Sequence, residues 1–128
     1  MSKAKLPKRG PKRQGETAVK TAVMDYLAMR GIMAWVNPRG GVSRTYTRKS
    51  DGVTNSYFMR FGGLPGASDI FAILGPTGRF LAIETKRVGE KPTTQQTAFL
   101  QSVEAAGGLG IVAWTLDDVH EAIERTRT

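Results

Sequence analysis

The stretch Phe80-Leu81-Ala82-Ile83-Glu84-Thr85-Lys86 is an apolar run broken by charge near its end. Its length and composition suit a β-strand buried on at least one face. Side chains two apart on a strand share a face, so Glu84 and Lys86 project together while Ile83 and Thr85 face the other way. A carboxylate inside such a run is costly without a cation, and Lys86 stands where one is needed. Just upstream, Ile70 to Leu74 is a second apolar strand, joined to the first by Gly75-Pro76-Thr77-Gly78. A link this short predicts an antiparallel hairpin. Asp69 directly precedes that second strand. Two carboxylates and an ammonium are thereby expected to converge at a sheet edge.

Outward from this pair, residues 16–30 read as a helix with Val19, Val23, Tyr26 and Leu27 as its apolar stripe. Gly31 ends it, and Ile32 to Val36 is a short strand stopped by Asn37-Pro38. Downstream, Thr94 to Ala106 is a helix with Phe99, Leu100 and Val103 inward, ended by Gly107-Gly108. Leu109 to Trp114 has the look of a buried strand. Thr115 to Asp118 resembles a capping box that opens a last helix, with Val119, Ala122 and Ile123 inward. The order predicts an α/β fold with a mixed central sheet flanked by helices. Between the first strand and Asp69 lies a basic insert, residues 37–63. Within it, Val42 to Lys49 and Val53 to Arg60 suit a hairpin turning at Ser50-Asp51-Gly52.

The chain has 128 residues, enough for a single domain, here expected over 15–128. It has no Cys and one His, His120, which excludes disulfides, thiolate–zinc sites and multi-histidine metal centres. Any metal must rest on oxygen ligands, which favours Mg²⁺ or Mn²⁺. No apolar run approaches the ~20 residues of a membrane-spanning helix. There is no signal-peptide pattern, so an intracellular, cytoplasmic location is expected.

The formal net charge is +8. Residues 1–14 hold Lys3, Lys5, Lys8, Arg9, Lys12 and Arg13 without an acid and read as a disordered basic arm. The insert holds Arg39, Arg44, Arg48, Lys49 and Arg60 against Asp51. Positive charge gathered in two segments is the footprint of a polyanion binder. Those five insert residues are candidate phosphate contacts, with Tyr46, Tyr57 or Phe58 available to stack on bases. A dimerisation arm with charged decoration accounts for the insert equally well.

Asp69 and Glu84 can hold a divalent cation, with the main-chain carbonyl of Thr85 completing an oxygen shell. Lys86 beside them can position water or neutralise developing charge, the needs of phosphodiester hydrolysis. A turn-forming Asp and a plain ion pair are the bland alternatives. Glu16 lies on the apolar face of the first helix, where the helix dipole alone would also favour an acid. Gln96 lies on the inward face of its helix, with Gln95 to the side. Gln96 suits either a backbone hydrogen bond or a role at the metal.

Glu16, Gly62-Gly63-Leu64-Pro65-Gly66-Ala67-Ser68-Asp69, Ala82-Ile83-Glu84-Thr85-Lys86-Arg87 and Thr94-Gln95-Gln96-Thr97-Ala98-Phe99-Leu100 together resemble the PD-(D/E)xK nuclease superfamily. Ala105-Ala106-Gly107-Gly108 before a strand also fits. The likeness is nearest to the small stand-alone VRR-NUC domains of phages and bacteria, and it covers roughly residues 15–124. It implies a restriction-endonuclease-like core and Mg²⁺- or Mn²⁺-dependent DNA endonuclease activity. It makes Asp69 and Glu84 metal ligands, Lys86 the catalytic lysine, Glu16 the helix acid and Gln96 the downstream glutamine. Ser68 stands where the superfamily pattern has Pro. The resemblance also implies branched or Holliday-junction DNA as substrate and a homodimer as the working form. A non-catalytic nucleic-acid-binding module, or a nuclease acting on flaps or RNA, is the alternative.

Overall fold

The computed structural model describes residues 15–38, 40–61 and 64–127. The expected disordered arm at 1–14 lies outside them. The elements run α1 (Glu16–Met29), β1 (Met33–Val36), β2 (Gly40–Thr47), β3 (Thr54–Phe61), β4 (Ile70–Leu74), β5 (Arg79–Thr85), α2 (Thr94–Ala105), β6 (Leu109–Ala113) and α3 (Leu116–Arg125). Four strands form one mixed sheet in the order β1-β4-β5-β6. β1–β4 and β4–β5 pair antiparallel, and β5–β6 pair parallel across the α2 crossover. β2 and β3 form a separate antiparallel ribbon. The chain is thus a small mixed α/β protein whose sheet is flanked by three helices. No helix among the described residues is long and apolar enough to cross a membrane.

The register sorts the sheet into two faces. Ile70, Ala72 and Leu74 share one with Leu81 and Ile83. α1 and α3 cover that face through Val19, Val23, Leu27, Val119 and Ile123, making the main core. α1 closes with a Schellman pair, in which the Gly31 N–H donates to Ala28 O at 3.0 Å and the Ile32 N–H to Leu27 O at 2.9 Å. This turns Ile32 back onto the core. The two helices are tied at the surface: the Arg30 guanidinium donates to Glu124 at 2.9 Å and to the Tyr26 hydroxyl. His120 Nδ1 lies 2.7 Å from the same hydroxyl. On the opposite face α2 packs Leu100 and Val103 over Ala82. Trp35, Phe71, Phe80 and Phe99 form a chain of ring contacts along that face.

Two expectations need correction. β6 looked buried from its composition, yet Leu109 to Val112 are only half-buried and Ala113 alone is fully covered. It is an edge strand with one neighbour, so half its surroundings are missing. The charged trio, in turn, is not at a sheet edge. β4 and β5 are the two central strands, and both edges are taken by β1 and β6.

The expected hairpin in the insert forms, its ladder running from Gly40↔Phe61 to Thr47↔Thr54. Asp51 organises its turn, accepting the Val53 N–H at 3.0 Å and pairing with Arg48 at 2.9 Å.

Candidate metal centre

Asp69 leads into β4 and Glu84 lies near the end of β5. Because the two strands are antiparallel, with Ile70 opposite Ile83, these carboxylates reach the same end of the sheet. Both are buried, Glu84 completely. The first turn of α1 brings Glu16, half-buried, to the same end. Carboxylate oxygens of Glu16, Asp69 and Glu84 all lie within 4.8 Å of one another. Three acids from three separate stretches of sequence therefore meet.

Each buried carboxylate has fixed partners. Asp69 Oδ2 accepts from the Thr85 amide at 3.0 Å and the Thr85 hydroxyl at 2.8 Å. Thr85 thus serves the cluster through its N–H and hydroxyl, groups that sequence reasoning did not name. The Asp69 carbonyl accepts the Asn37 N–H at 2.7 Å, and Asn37 Nδ2 donates to Ser68 O at 3.2 Å. Asn37, read from sequence as a strand stop, therefore anchors the backbone on which Asp69 sits. Ser68 is fully buried, and its hydroxyl has no hydrogen-bond partner among the described residues.

Glu84 Oε1 accepts from Gln96 Nε2 at 2.8 Å. The other end of that amide is already committed. Gln96 Oε1 accepts the Thr93 N–H at 2.8 Å, while Thr93 Oγ1 accepts the Gln96 N–H at 3.1 Å. This is a capping box at the start of α2. It uses the oxygen of the amide and so leaves its NH₂ group to Glu84. The pattern Thr93-x-x-Gln96 carries that signal in the sequence, and the bond to the Thr93 N–H is the backbone hydrogen bond that is one of the two alternatives for Gln96.

Gly66 supplies the close approach between the Asp69 loop and α2. Its φ is +76°, and a Cβ there would stand 2.4 Å from the Gln95 backbone carbonyl carbon and oxygen. Only a residue without a side chain lets the loop lie against the turn that carries Gln96.

Lys86 Nζ is 4.0 Å from Glu84 Oε1. A second lysine, Lys20, stands 3.9 Å from Asp69 Oδ1. Sequence reasoning did not name Lys20, although it lies one helical turn after Glu16, on the same side of α1. Both distances exceed the ~2.8 Å of a charge-assisted hydrogen bond, so neither ammonium is closed onto its carboxylate.

The candidate nucleic-acid residues separate. Arg44 and Lys49 are exposed on the ribbon, remote in sequence from the acids. Arg48 is engaged with Asp51 in the turn. Arg39 and the side chain of Arg60 lie outside the described residues. No protein-family model matches the chain, and no curated protein matches it.

Proposed function

We propose that this chain is a Mg²⁺- or Mn²⁺-dependent DNA endonuclease of the PD-(D/E)xK type, with a restriction-endonuclease-like core and a VRR-NUC-like motif set. The observation that carries the reading is the meeting of the Glu16, Asp69 and Glu84 oxygens within 4.8 Å, with Lys86 beside Glu84. The donor set suits a hard cation: all three groups are carboxylates, and the one His bonds to Tyr26 instead. Asp69, Glu84 and Glu16 would hold the ion, with the Thr85 carbonyl as a further oxygen. Bound there, a divalent cation supplies the Lewis acidity that activates water and offsets phosphate charge.

The chain's own residues do the rest. Thr85 fixes the Asp69 carboxylate, and Gln96 fixes that of Glu84. The ligands are therefore oriented before substrate arrives, which removes a reorganisation cost from the reaction. Lys86 brings an ammonium to the edge of the cluster, where negative charge grows on the phosphoryl oxygens. In the reaction the oxygen of water bonds to phosphorus and the bond to the leaving sugar oxygen breaks. That oxygen takes up a proton and the attacking water releases one. The substrate of this reading is branched or junction DNA, and a homodimer would supply two sites for paired nicks.

A cleavage panel tests the proposal: linear duplex, flap, splayed arm and four-way junction, each with Mg²⁺, Mn²⁺ and chelator. Cleavage should require the metal and disappear in Glu84→Ala. Cutting that persists in that variant or in chelator would overturn the reading. Paired symmetric nicks on the junction would select the resolvase form of it.

A further inference from the structure

The β2–β3 ribbon differs from every other strand pair in the molecule. β2 and β3 make their extensive contact with one another, and their described side chains, from Ser43 to Phe58, are all exposed. A two-stranded ribbon by itself is marginally stable in water. Its side chains are thus placed for something other than this domain's core.

The ladder register divides those side chains. Residues directly opposite one another in a ladder share a face. Arg44 faces Tyr57, and Tyr46 faces Asn55. These four form one face, with Tyr46 59% and Tyr57 49% exposed. Ser43 faces Phe58, Thr45 faces Ser56, and Thr47 faces Thr54 on the other. That second face partly satisfies itself: the Thr47 and Thr54 hydroxyls lie 2.7 Å apart. Among the described side chains it carries no charge.

We infer that the Arg44–Tyr46–Asn55–Tyr57 face is a contact surface for duplex DNA, with the ribbon seated in the major groove. The inference rests on the reading of the chain as a DNA-acting enzyme, and it assigns the substrate contact to one face of one element. The major groove, about 12 Å wide, admits a two-stranded β-ribbon. The major groove of an RNA duplex is too narrow for one. Arg44 provides a cation for phosphate or guanine, Asn55 an amide for adenine, and the tyrosines hydroxyls for phosphate oxygens. The ribbon's acid, Asp51, is engaged by Arg48 at 2.9 Å in the turn, so it does not offer an open carboxylate to the phosphates. The ribbon is also joined in sequence to the segments that carry Asp69. Asn37, which bonds to the Asp69 backbone, precedes Gly40 by three residues. After β3 the chain returns through Gly66 to Asp69.

The experiment measures binding without cleavage. A fluorescent ~30-base-pair duplex is titrated with the full chain in chelator across a salt series, by anisotropy. Arg44→Ala/Tyr57→Ala should weaken binding at least about tenfold and lower the salt slope by about one. Thr45→Ala/Ser56→Ala, on the opposite face, should bind within about twofold of the unaltered chain. Equal losses in both variants, or a loss in neither, would overturn the inference. So would a change of oligomeric state by sedimentation in the first variant with affinity intact, which would make this face a contact between copies. The Glu84→Ala cleavage result separates the two proposals. Binding that depends on Arg44 and Tyr57 in a protein that cleaves nothing upholds the DNA face and removes the nuclease. Glu84-dependent cleavage with both ribbon variants binding normally does the reverse.

Discussion

β5 and β3 are strands of nearly equal length, seven and eight residues, put to opposite uses. In β5, every residue from Leu81 to Thr85 is buried, because β4 and β6 flank it and helices cover both faces. In β3, every described side chain is exposed. A carboxylate in the first setting must be held by definite partners, and Glu84 is, through Gln96 at 2.8 Å. Arg44 of β2, the arginine paired across the ladder with Tyr57 of β3, is held by none of its described neighbours there and is available to an incoming molecule. The difference separates a site that is built before substrate arrives from a surface that acquires its order on contact.

The strongest way to break this comparison is Glu84→Gln. Cleavage should fall by about 10³-fold or more, on the order expected when a metal ligand and its electrostatics are lost. Melting temperature should hold or rise, because an amide still accepts from Gln96 while a buried charge is removed. A large drop in melting temperature with cleavage retained would instead make Glu84 a structural ion-pair partner of Lys86.

Two glycines sharpen the contrast next. Gly66 and Gly52 both have positive φ, +76° and +69°. At Gly66 a Cβ meets the Gln95 backbone at 2.4 Å, whereas at Gly52, in the ribbon turn, it meets nothing within 4 Å. Gly66→Ala should cost about 3 kcal/mol, adding overpacking to conformational strain. It should also impair cleavage, because the first turn of α2 carries Gln96. Gly52→Ala should cost about 1 kcal/mol, the conformational part alone. Chemical denaturation of the two variants checks this, and equal costs would contradict the packing argument.

Asn37→Ala should cost about 1 kcal/mol, the worth of one hydrogen bond to Ser68 O. It should lower cleavage more than that figure suggests, since it loosens the backbone of Asp69. A stability loss without any loss of rate would assign Asn37 to the fold alone. Ser68→Ala should be neutral or slightly stabilising in chemical denaturation, because it removes a buried hydroxyl that has no partner among the described residues.

The smallest expected effect lies away from both regions, at the α1–α3 tie. The hydrogen bond from the Arg30 guanidinium holds the Glu124 carboxyl below its ordinary range. A lowered folded-state value contributes stability above the ordinary carboxylate pKa and loses it as pH falls through the folded value. Glu124→Gln should therefore melt slightly earlier than the unaltered chain at neutral pH and converge with it in acid. The pair is half-buried at the surface and screened by solvent, so the difference is small. A gap that widens in acid would contradict the assignment.

Much of this architecture is legible along the chain because its signals are local. Val19, Val23 and Leu27 at helical spacing, Gly75 to Gly78 between two apolar runs, and Ser50-Asp51-Gly52 in the insert each mark an element through nearby residues. The inward direction of Glu16 and Gln96 follows from the same spacing. Strand position within the sheet does not, because an apolar pentapeptide is equally apolar at an edge and in the centre. That is why β6 reads as buried and the acids read as lying at an edge. Lys20 and Asn37 escape notice for a related reason: their partners, Asp69 and Ser68, are distant in sequence.

By itself, then, the sequence determines the elements, the oxygen-only character of any metal site, the two acids flanking the β4–β5 hairpin, and a basic, aromatic insert. Periodicity, turn chemistry and composition act over a few residues and need no fold to be read. The tertiary structure alone decides that Glu16 joins Asp69 and Glu84 within 4.8 Å, and that Thr85 and Gln96 orient the buried carboxylates. It alone decides that Gly66 must be small. Those are distances between groups far apart in the chain, and only packing the helices onto the sheet brings them within reach of one another.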